Sequence, residues 1–559
     1  MQETLLKEAR ERLQNIKTQK ELEVFRFDLS KKYKLKKGLS NIELLSYLKD
    51  TNLKILLTKP VRTLSGVTPI SVMSKPANCP SQAQCTYCPG GINSVFGNTP
   101  KSYPGNSPGI IRAVRNDYDP YLQVFNRLEH YILLNQDITK VEFIVMGSTF
   151  LFFNKEYKED FIKYCLKALN DFSEMFVHDN KINFEKFIDF FELPSDFKNK
   201  DRIERIKNKL LKIKGNTTLE KEQLRNENIY SRCIAMCLET RPDYSYETHI
   251  DEMLSYGTTR VELGIQSLSD EILKKVKRGH SVHDSIKATQ LLKDSFLKLT
   301  FHMMPGLPGS SAENDIHELK ELFDNPDYKP DSLKIYPCLV FKGTELYEDW
   351  LKGKFKEQTT EGAVEVITEA KRYIPEYCRV MRINRDIPTY MSEAGVRKTN
   401  LRQYIDEELK EKNIKCRCIR CREPKLKEIS WEDVKLKKLE YESSGGTDIF
   451  LSYDDVKNDI LLGFVRLRIP FKPFRKEITN SSAGIRELHV YGQAVKIGEE
   501  SSQVQHKGLG ISLMKKAEQI AKEKYDINKM LVISGIGVRN YYINKLNYKK
   551  DGPYVSKII

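Results

Sequence analysis

Cys79-Pro-Ser-Gln-Ala-Gln-Cys85-Thr-Tyr-Cys88-Pro-Gly-Gly91 sets three cysteines in a Gly/Pro-rich loop, five and then two residues apart, just after the strand-like run Ile70-Ser-Val-Met73. Three thiolates on a flexible loop can hold three irons of a [4Fe–4S] cluster and leave the fourth open to an outside ligand. An S-adenosylmethionine (SAM) that chelates the open iron through its amino and carboxylate groups can be cleaved reductively to a carbon radical. Cys-x2-Cys alone also fits a structural zinc knuckle. The aromatic Tyr87 before the last cysteine, and the β/α pattern that follows, favour the cluster.

From about 70 to 345, strand-like runs alternate with amphipathic helices near 120–135, 157–172, 247–256 and 283–294. After Ile70–Met73 the runs are Val141–Met146, Cys233–Leu238, Arg260–Ile265, Lys298–Met303 and Ser332–Tyr336. Such alternation predicts a parallel sheet with crossover helices, and six strands fit a partial TIM-like (β/α)6 barrel with its chemistry at the strands' C-terminal ends. Polar residues follow each strand. Gly147 and Ser148 would admit the methionine moiety of SAM, and Glu239 and Gln266 are further SAM contacts. His302 follows the fifth strand. Lys334 and Tyr336 share one face of the sixth and are candidate catalytic groups. Taken singly, each strand-end group is more often a turn or an N-cap than a site, but five consecutive strands ending this way point to one. The helical-looking segment 178–228 interrupts the period without a readable motif.

The 559 residues allow about three or four domains, and 40% apolar with 10% aromatic is a globular composition. The absence of a long apolar run and a charged N-terminus predict a soluble cytoplasmic protein with no membrane partner. Six of the eleven cysteines form two tight clusters, which points to metal in a reducing compartment. The other five lie in apolar patterns and read as core thiols. Net charge is +15, and residues 1–75 hold 16 Lys/Arg against 8 Asp/Glu. That region, 1–69, reads as basic helices. Its run Lys31–Lys37 brackets Tyr33, so Lys34, Lys36 and Lys37 are candidate tRNA contacts and Tyr33 a stacking residue, with a solvated surface as the plain alternative.

Past the 70–380 unit, a linker (381–430) carries Cys416-Arg-Cys418-Ile-Arg-Cys421, three thiolates suited to one zinc ion with no evident fourth ligand. Arg417 and Arg420 among them would face phosphate or bases, or the zinc is simply a staple. A separate α+β domain spans 431–559. There Gln505-His-Lys-Gly-Leu-Gly510 precedes a helix over 511–525, between strands 485–491 and 529–534. Gly508, Leu509, Gly510 and Ile511 would bare amides at a helix N-terminus, which suits a pyrophosphate. This resembles the acyl-CoA-binding core of the GNAT acetyltransferases. In that fold a pantetheine arm pairs with the strand edge, here Glu487, Leu488, His489 and Val490. A tyrosine after the next strand serves as general acid, which selects Tyr541 or Tyr542, with Tyr542 favoured.

A radical SAM half joined to a GNAT half resembles the catalytic subunit of Elongator in its stand-alone archaeal form. The match runs from about 60 to 555 outside the insertion. Its carriers include Cys-Pro-x4-Cys-x-Tyr-Cys-Pro-Gly-Gly, Asp119–Gln123, Lys140–Met146, Glu239–Tyr244, His302-Met-Met-Pro, Arg486–Gly492 and Ser534–Tyr542. The five-residue first cysteine gap departs from the usual three. The resemblance implies modification of the tRNA wobble uridine to 5-carboxymethyluridine, with acetyl-CoA and SAM as co-substrates. It also implies that Lys140 and Tyr542 contact acetyl-CoA. A monomer or homodimer is expected, with Elongator-like subunits as further partners. A protein lysine acetyltransferase is the alternative, but it leaves the cysteine loop unused and wants an acidic groove.

Overall fold

The computed structural model describes residues 2–35, 39–48, 54–56, 66–147, 149–193, 195, 199–425, 427–491 and 508–559. Lys36, Lys37, Ser148 and the segment 492–507 lie outside the described residues.

A seven-stranded sheet forms the first half, in the order of the chain: β1 Thr68–Met73, β2 Lys140–Met146, β3 Arg232–Thr240, β4 Arg260–Gln266, β5 Lys298–Met303, β6 Ser332–Ile335 and β7 Arg379–Ile383. Every neighbouring pair is parallel. The six expected strands are present, and β7 extends the barrel beyond the six read from the sequence. Its Arg379-Val-Met-Arg-Ile383 is only five residues long and carries two arginines, which is why apolar patterning passed over it.

Side-chain alternation sorts each strand. Val141, Phe143 and Val145 on β2 are fully buried under the outer helices, whereas Lys140 and Glu142 face the other way. The barrel interior is consequently polar. Arg260 reaches Glu142 at 3.0 Å, and His302 and Lys334 both meet Glu262. The crossover helices Pro120–Leu133, Lys155–Phe176, Glu247–Ser255 and Val282–Asp294 lie where periodicity put them. The insertion is helical, over Phe184–Phe191, Lys200–Lys214 and Leu219–Asn226, and is tied to the barrel by the buried Arg202–Glu129 pair at 2.5 Å.

The second sheet orders its strands β8-β9-β10-β11-β12-β14-β13: β8 Val434–Ser443, β9 Gly446–Asp455, β10 Ile460–Ile469, β11 Ser482–Val490, β12 Lys529–Val532, β13 Lys549–Asp551 and β14 Tyr554–Ile558. Only the β11–β12 pair is parallel, and it lasts four residues, Ser482–Ile485 against Lys529–Val532. Helix Leu509–Tyr525 packs on this sheet through Leu513, Met514, Ala517 and Ala521, a single helical face.

The two sheets meet at the N-terminal ends of the barrel strands. Asp331 receives both terminal nitrogens of Arg486 (3.0 and 2.6 Å), Arg468 grips Asp294 (3.1 and 2.6 Å), and Lys293 reaches Asp448 at 2.8 Å, all of them buried. Close backbone approach completes the joint. A Cβ on Gly535 would stand 1.9 Å from the Ile234 carbonyl oxygen, and one on Gly484 would enter the Phe296 ring.

The N-terminal helices Gln2–Leu13 and Gln19–Lys32 pack Leu5, Ala9 and Leu13 with Leu22, Phe25 and Leu29, and Thr18 with Glu21 caps the second. No described helix is long and apolar enough to cross a membrane.

Candidate active site

Cys79, Cys85 and Cys88 line one cavity at the C-terminal ends of the barrel strands, together with Glu239, Gln266, His302 and Tyr336. Their sulfurs do not all come within 4.8 Å of one another. A single zinc ion at about 2.3 Å from each sulfur would need them roughly 3.8 Å apart. The wider spread suits a multi-iron cluster. Donors are already aimed at these sulfurs: the Ser102 amide at Cys88 (3.2 Å) and the Arg278 guanidinium at Cys85 (3.6 Å). Such hydrogen bonds are how proteins tune iron–sulfur centres.

Across the cavity floor runs a hydrogen-bonded chain. The Tyr103 hydroxyl donates to Glu239 (3.1 Å), Lys334 bridges Glu239 (3.5 Å) and Glu262, and His302 lies 2.9 Å from Glu262. Burial opposes the charge on Glu262, but Lys334 and Arg260 outweigh it and hold its carboxyl well below the usual range. Burial likewise opposes the Lys334 ammonium, and Glu262 more than offsets it, so the pair stays ionised. Lys334 therefore supports the floor from behind, while Tyr336 faces the cavity beside His302, ring centres 5.4 Å apart. Arg385 lies over the rings of both Tyr103 and Tyr336.

Gly147, at the end of β2, has φ +98°, and a Cβ there would stand 2.8 Å from the Met73 sulfur, so the tight passage beside the cavity needs glycine. Sequence reading passed over Lys101, Tyr103, Glu262, Arg278 and Arg385. They stand mid-strand or in loops, and nothing but the barrel's closure brings them to the cysteines.

The second candidate site lies on the C-terminal sheet. Among the described residues β11 has no β12 partner past Ile485, which leaves the backbone of Glu487, Leu488 and His489 on that side for an added strand. A Cβ at Gly510 would touch the Tyr541 hydroxyl (3.6 Å), Val490 (3.6 Å) and Leu488 (3.9 Å), so these groups surround the N-terminus of helix Leu509–Tyr525. Gly508 caps that helix in the left-handed region, with Ile511 exposed in its first turn. Tyr542 is instead buried against Tyr548. The Glu487 carboxylate is bound to Lys298 and Arg466, which leaves its backbone, not its side chain, for a ligand. His489 stacks on Phe464, its Nε2 is buried without a partner among the described residues, and burial lowers its pKa to about 4. Lys140 is near enough to contribute to that lowering.

Cys416, Cys418 and Cys421 gather their sulfurs within 4.8 Å, the Cys418–Cys421 pair at 3.5 Å, which fits one metal ion. Arg417 is paired with Glu376 (2.5 Å) and Asp459 (3.3 Å), and Arg420 donates to the Met381 carbonyl at 3.4 Å. In the N-terminal region Lys34 is exposed, and Tyr33 donates its hydroxyl to Glu8 at 2.8 Å.

Comparison with known proteins bears on both halves. The radical SAM superfamily model matches residues 75–323 and the radical SAM C-terminal domain model 330–411. The tRNA uridine(34) acetyltransferase of Methanocaldococcus infernus is 46% identical over 532 residues, 93% of this chain and 91% of that protein. Elongator complex protein 3 of Saccharomyces cerevisiae is 39% identical over 546 residues, covering 95% and 90%. A solved structure of the archaeal Methanocaldococcus infernus Elp3 with an N-terminal deletion matches at TM-score 0.71 and 43% identity, over 89% of this chain and all of that one. With its cysteine loop at the mouth of a parallel half-barrel and its second sheet locked beneath, the chain belongs to the radical SAM family of Elongator complex protein 3 and the archaeal tRNA uridine(34) acetyltransferases.

Proposed function

We propose that this protein converts the wobble uridine of tRNA to 5-carboxymethyluridine, drawing the added carbons from acetyl-CoA. The observation that carries the reading is the joining of two sites in one chain. Three thiols face a cavity at the strand ends of one sheet, and an opened strand edge meets a glycine-led helix start on the other. The names of the relatives support tRNA as the substrate.

Uracil C5 is not acidic enough for ordinary alkylation, and an acetyl methyl is a poor nucleophile. A [4Fe–4S] cluster on Cys79, Cys85 and Cys88 supplies, when bound, the electron that cleaves SAM to a radical able to activate that methyl. The chain's own residues do the rest. Glu239 and Gln266, beside Gly147 and Ser148, orient SAM. Tyr336, Tyr103 and Arg385 present flat faces on which a flipped-out base stacks. Lys334 holds Glu239 and Glu262 in place beneath them. In the second half, the amides of Leu509, Gly510 and Ile511 take the pyrophosphate, and the Glu487–Val490 edge pairs with the pantetheine arm. When water attacks the thioester carbonyl to leave the carboxylate, Tyr541, or Tyr542 after a side-chain shift, protonates the departing thiolate of the coenzyme. Lys34, Lys36 and Lys37 bind the tRNA backbone, and Cys416, Cys418 and Cys421 hold zinc.

The test is anaerobic reconstitution with SAM, reductant, acetyl-CoA and tRNA, followed by mass spectrometry of the digested tRNA. 5-Carboxymethyluridine that disappears without SAM is the expected product. Acetyl-CoA hydrolysis with the base untouched in reconstituted protein would overturn the proposal.

A further inference from the structure

Arg278 is a buried cation, 8% exposed, in the turn that follows helix Asp270–Lys275. Its Nη2 donates to the Gly264 carbonyl at 2.7 Å, and its Nη1 is aimed at Cys85 Sγ, 3.6 Å away. Among the described residues its buried Nε has no acceptor, and no carboxylate lies within 4.0 Å of the guanidinium. The neighbouring buried arginines contrast with it. Arg241 is held by Asp243 at 2.9 Å through two nitrogens, and Arg260 reaches Glu142 at 3.0 Å.

The position of Arg278 is built in from several sides. Gly264 leaves its room, since a Cβ there would stand 2.6 Å from Nη2. Arg241 donates to the Arg278 carbonyl at 2.8 Å. The same turn is locked to the cysteine loop: the Thr86 amide donates to the Val276 carbonyl at 3.1 Å, and a Cβ on Gly279 would strike the Gln82 carbonyl at 2.3 Å. Cysteine loop and arginine turn therefore form one unit.

A guanidinium stays protonated in proteins, and burying it without a counter-charge is strongly unfavourable. The group its free face meets is the sulfur of Cys85, which a bound cluster would hold as a thiolate, in the cavity that Cys79 and Cys88 also line. We propose that Arg278 is the fixed counter-ion of the iron–sulfur cluster, offsetting the charge at the Cys85 corner and raising the potential at which the cluster accepts an electron. This rests on the cluster reading above. Reduction adds one electron from an external low-potential reductant and no proton, because the guanidinium is already protonated. The reduced cluster is the more negative form, so a neighbouring cation in a low-dielectric site stabilises it more than the oxidised form.

The experiment compares the parent chain with R278K and R278Q, each reconstituted anaerobically with iron and sulfide. Iron per chain is measured, and the midpoint potential is read by an electron paramagnetic resonance titration. R278Q is expected to titrate at a more negative potential than the parent, and R278K close to the parent. Cluster assembly in R278K but not in R278Q would support the same role at the loading step. Equal potentials in R278Q and the parent, an equal drop in both variants, or loss of the cluster in both would overturn it. A parent chain that takes up no iron would instead overturn the reading of Cys79, Cys85 and Cys88, and this inference with it.

Discussion

Two adjacent tyrosines open helix Arg539–Leu546, and neighbouring helical positions point about 100° apart. One of the pair can therefore face the β11 edge while the other fills the core. Tyr541 stands by Gly510, and Tyr542 packs on Tyr548. Tyr541→Phe is expected to lower tRNA-dependent acetyl-CoA turnover about 10²-fold at unchanged melting temperature, with Tyr542→Phe costing much less. The reverse ranking would return the proton to Tyr542. His489 carries a different signature. Burial holds its pKa near 4, so the folded protein leaves it neutral while the unfolded chain protonates it below its ordinary value of 6.5. Its contribution is complete above pH 6.5 and is lost as the pH falls towards 4. Between those limits His489→Gln should flatten the fall in unfolding free energy by up to about 1.4 kcal/mol per pH unit, as read by denaturant titrations at pH 7 and pH 5. An unchanged slope would mean that the imidazole is hydrated in the fold. His130, also lowered to about 4 by burial, adds the same sign in both proteins.

At the scale of elements, the segment after helix Gln19–Lys32 divides its own residues. Lys32 and Tyr33 are spent on Glu8, whereas Lys34 turns outward with φ 49°. Replacing Lys34, Lys36 and Lys37 together by Gln is expected to weaken tRNA binding and to lower the slope of log affinity against log salt by about 2. Equal slopes for variant and parent would make the run a solvated surface. The cysteine knuckle divides its residues in the same way. Its arginines were legible as basic, but the partners they take, Glu376 and Asp459 for Arg417 and the Met381 carbonyl for Arg420, come from outside the motif. A basic residue between two cysteines cannot announce whether it faces solvent or a distant acid. Strand β7 escaped notice for a related reason, since a short edge strand with charged residues lacks the apolar run that marks its neighbours.

At the scale of the whole molecule, the joint between the sheets decides how the two sites are held. Asp331 sits just before β6, accepts from Arg486 on β11, and also receives the Leu299 amide at 2.8 Å. Removing its charge leaves two buried guanidinium groups with one carboxylate each, Arg466 with Glu487 at 2.9 Å and Arg486 with Asp448 at 3.5 Å. Asp331→Asn is expected to cost about 3–5 kcal/mol in chemical denaturation, and to split one unfolding transition into two if the halves then melt separately. A loss below about 1 kcal/mol would show that the network is hydrated and the joint rests on its glycines. Gly535 has an ordinary φ of −58°, so its requirement is for space alone, and no local pattern around it reveals that.

What the sequence alone determined was whatever is written locally. The cysteine spacing, the alternation of strands and helices, the Gly-x-Gly before a long helix and the clustering of Cys416, Cys418 and Cys421 each depend on residues close in the chain, where period and spacing act directly. What the tertiary structure decided was everything that needs two distant segments at once. The pairing of Arg278 with Cys85, the Glu239–Lys334–Glu262–His302 floor, the exposure of Tyr541 over Tyr542 and the Asp331–Arg486 joint all join residues from separate elements. A buried charge is stable only beside its partner, and closure of the barrel brings those partners together across gaps in sequence that no local periodicity spans.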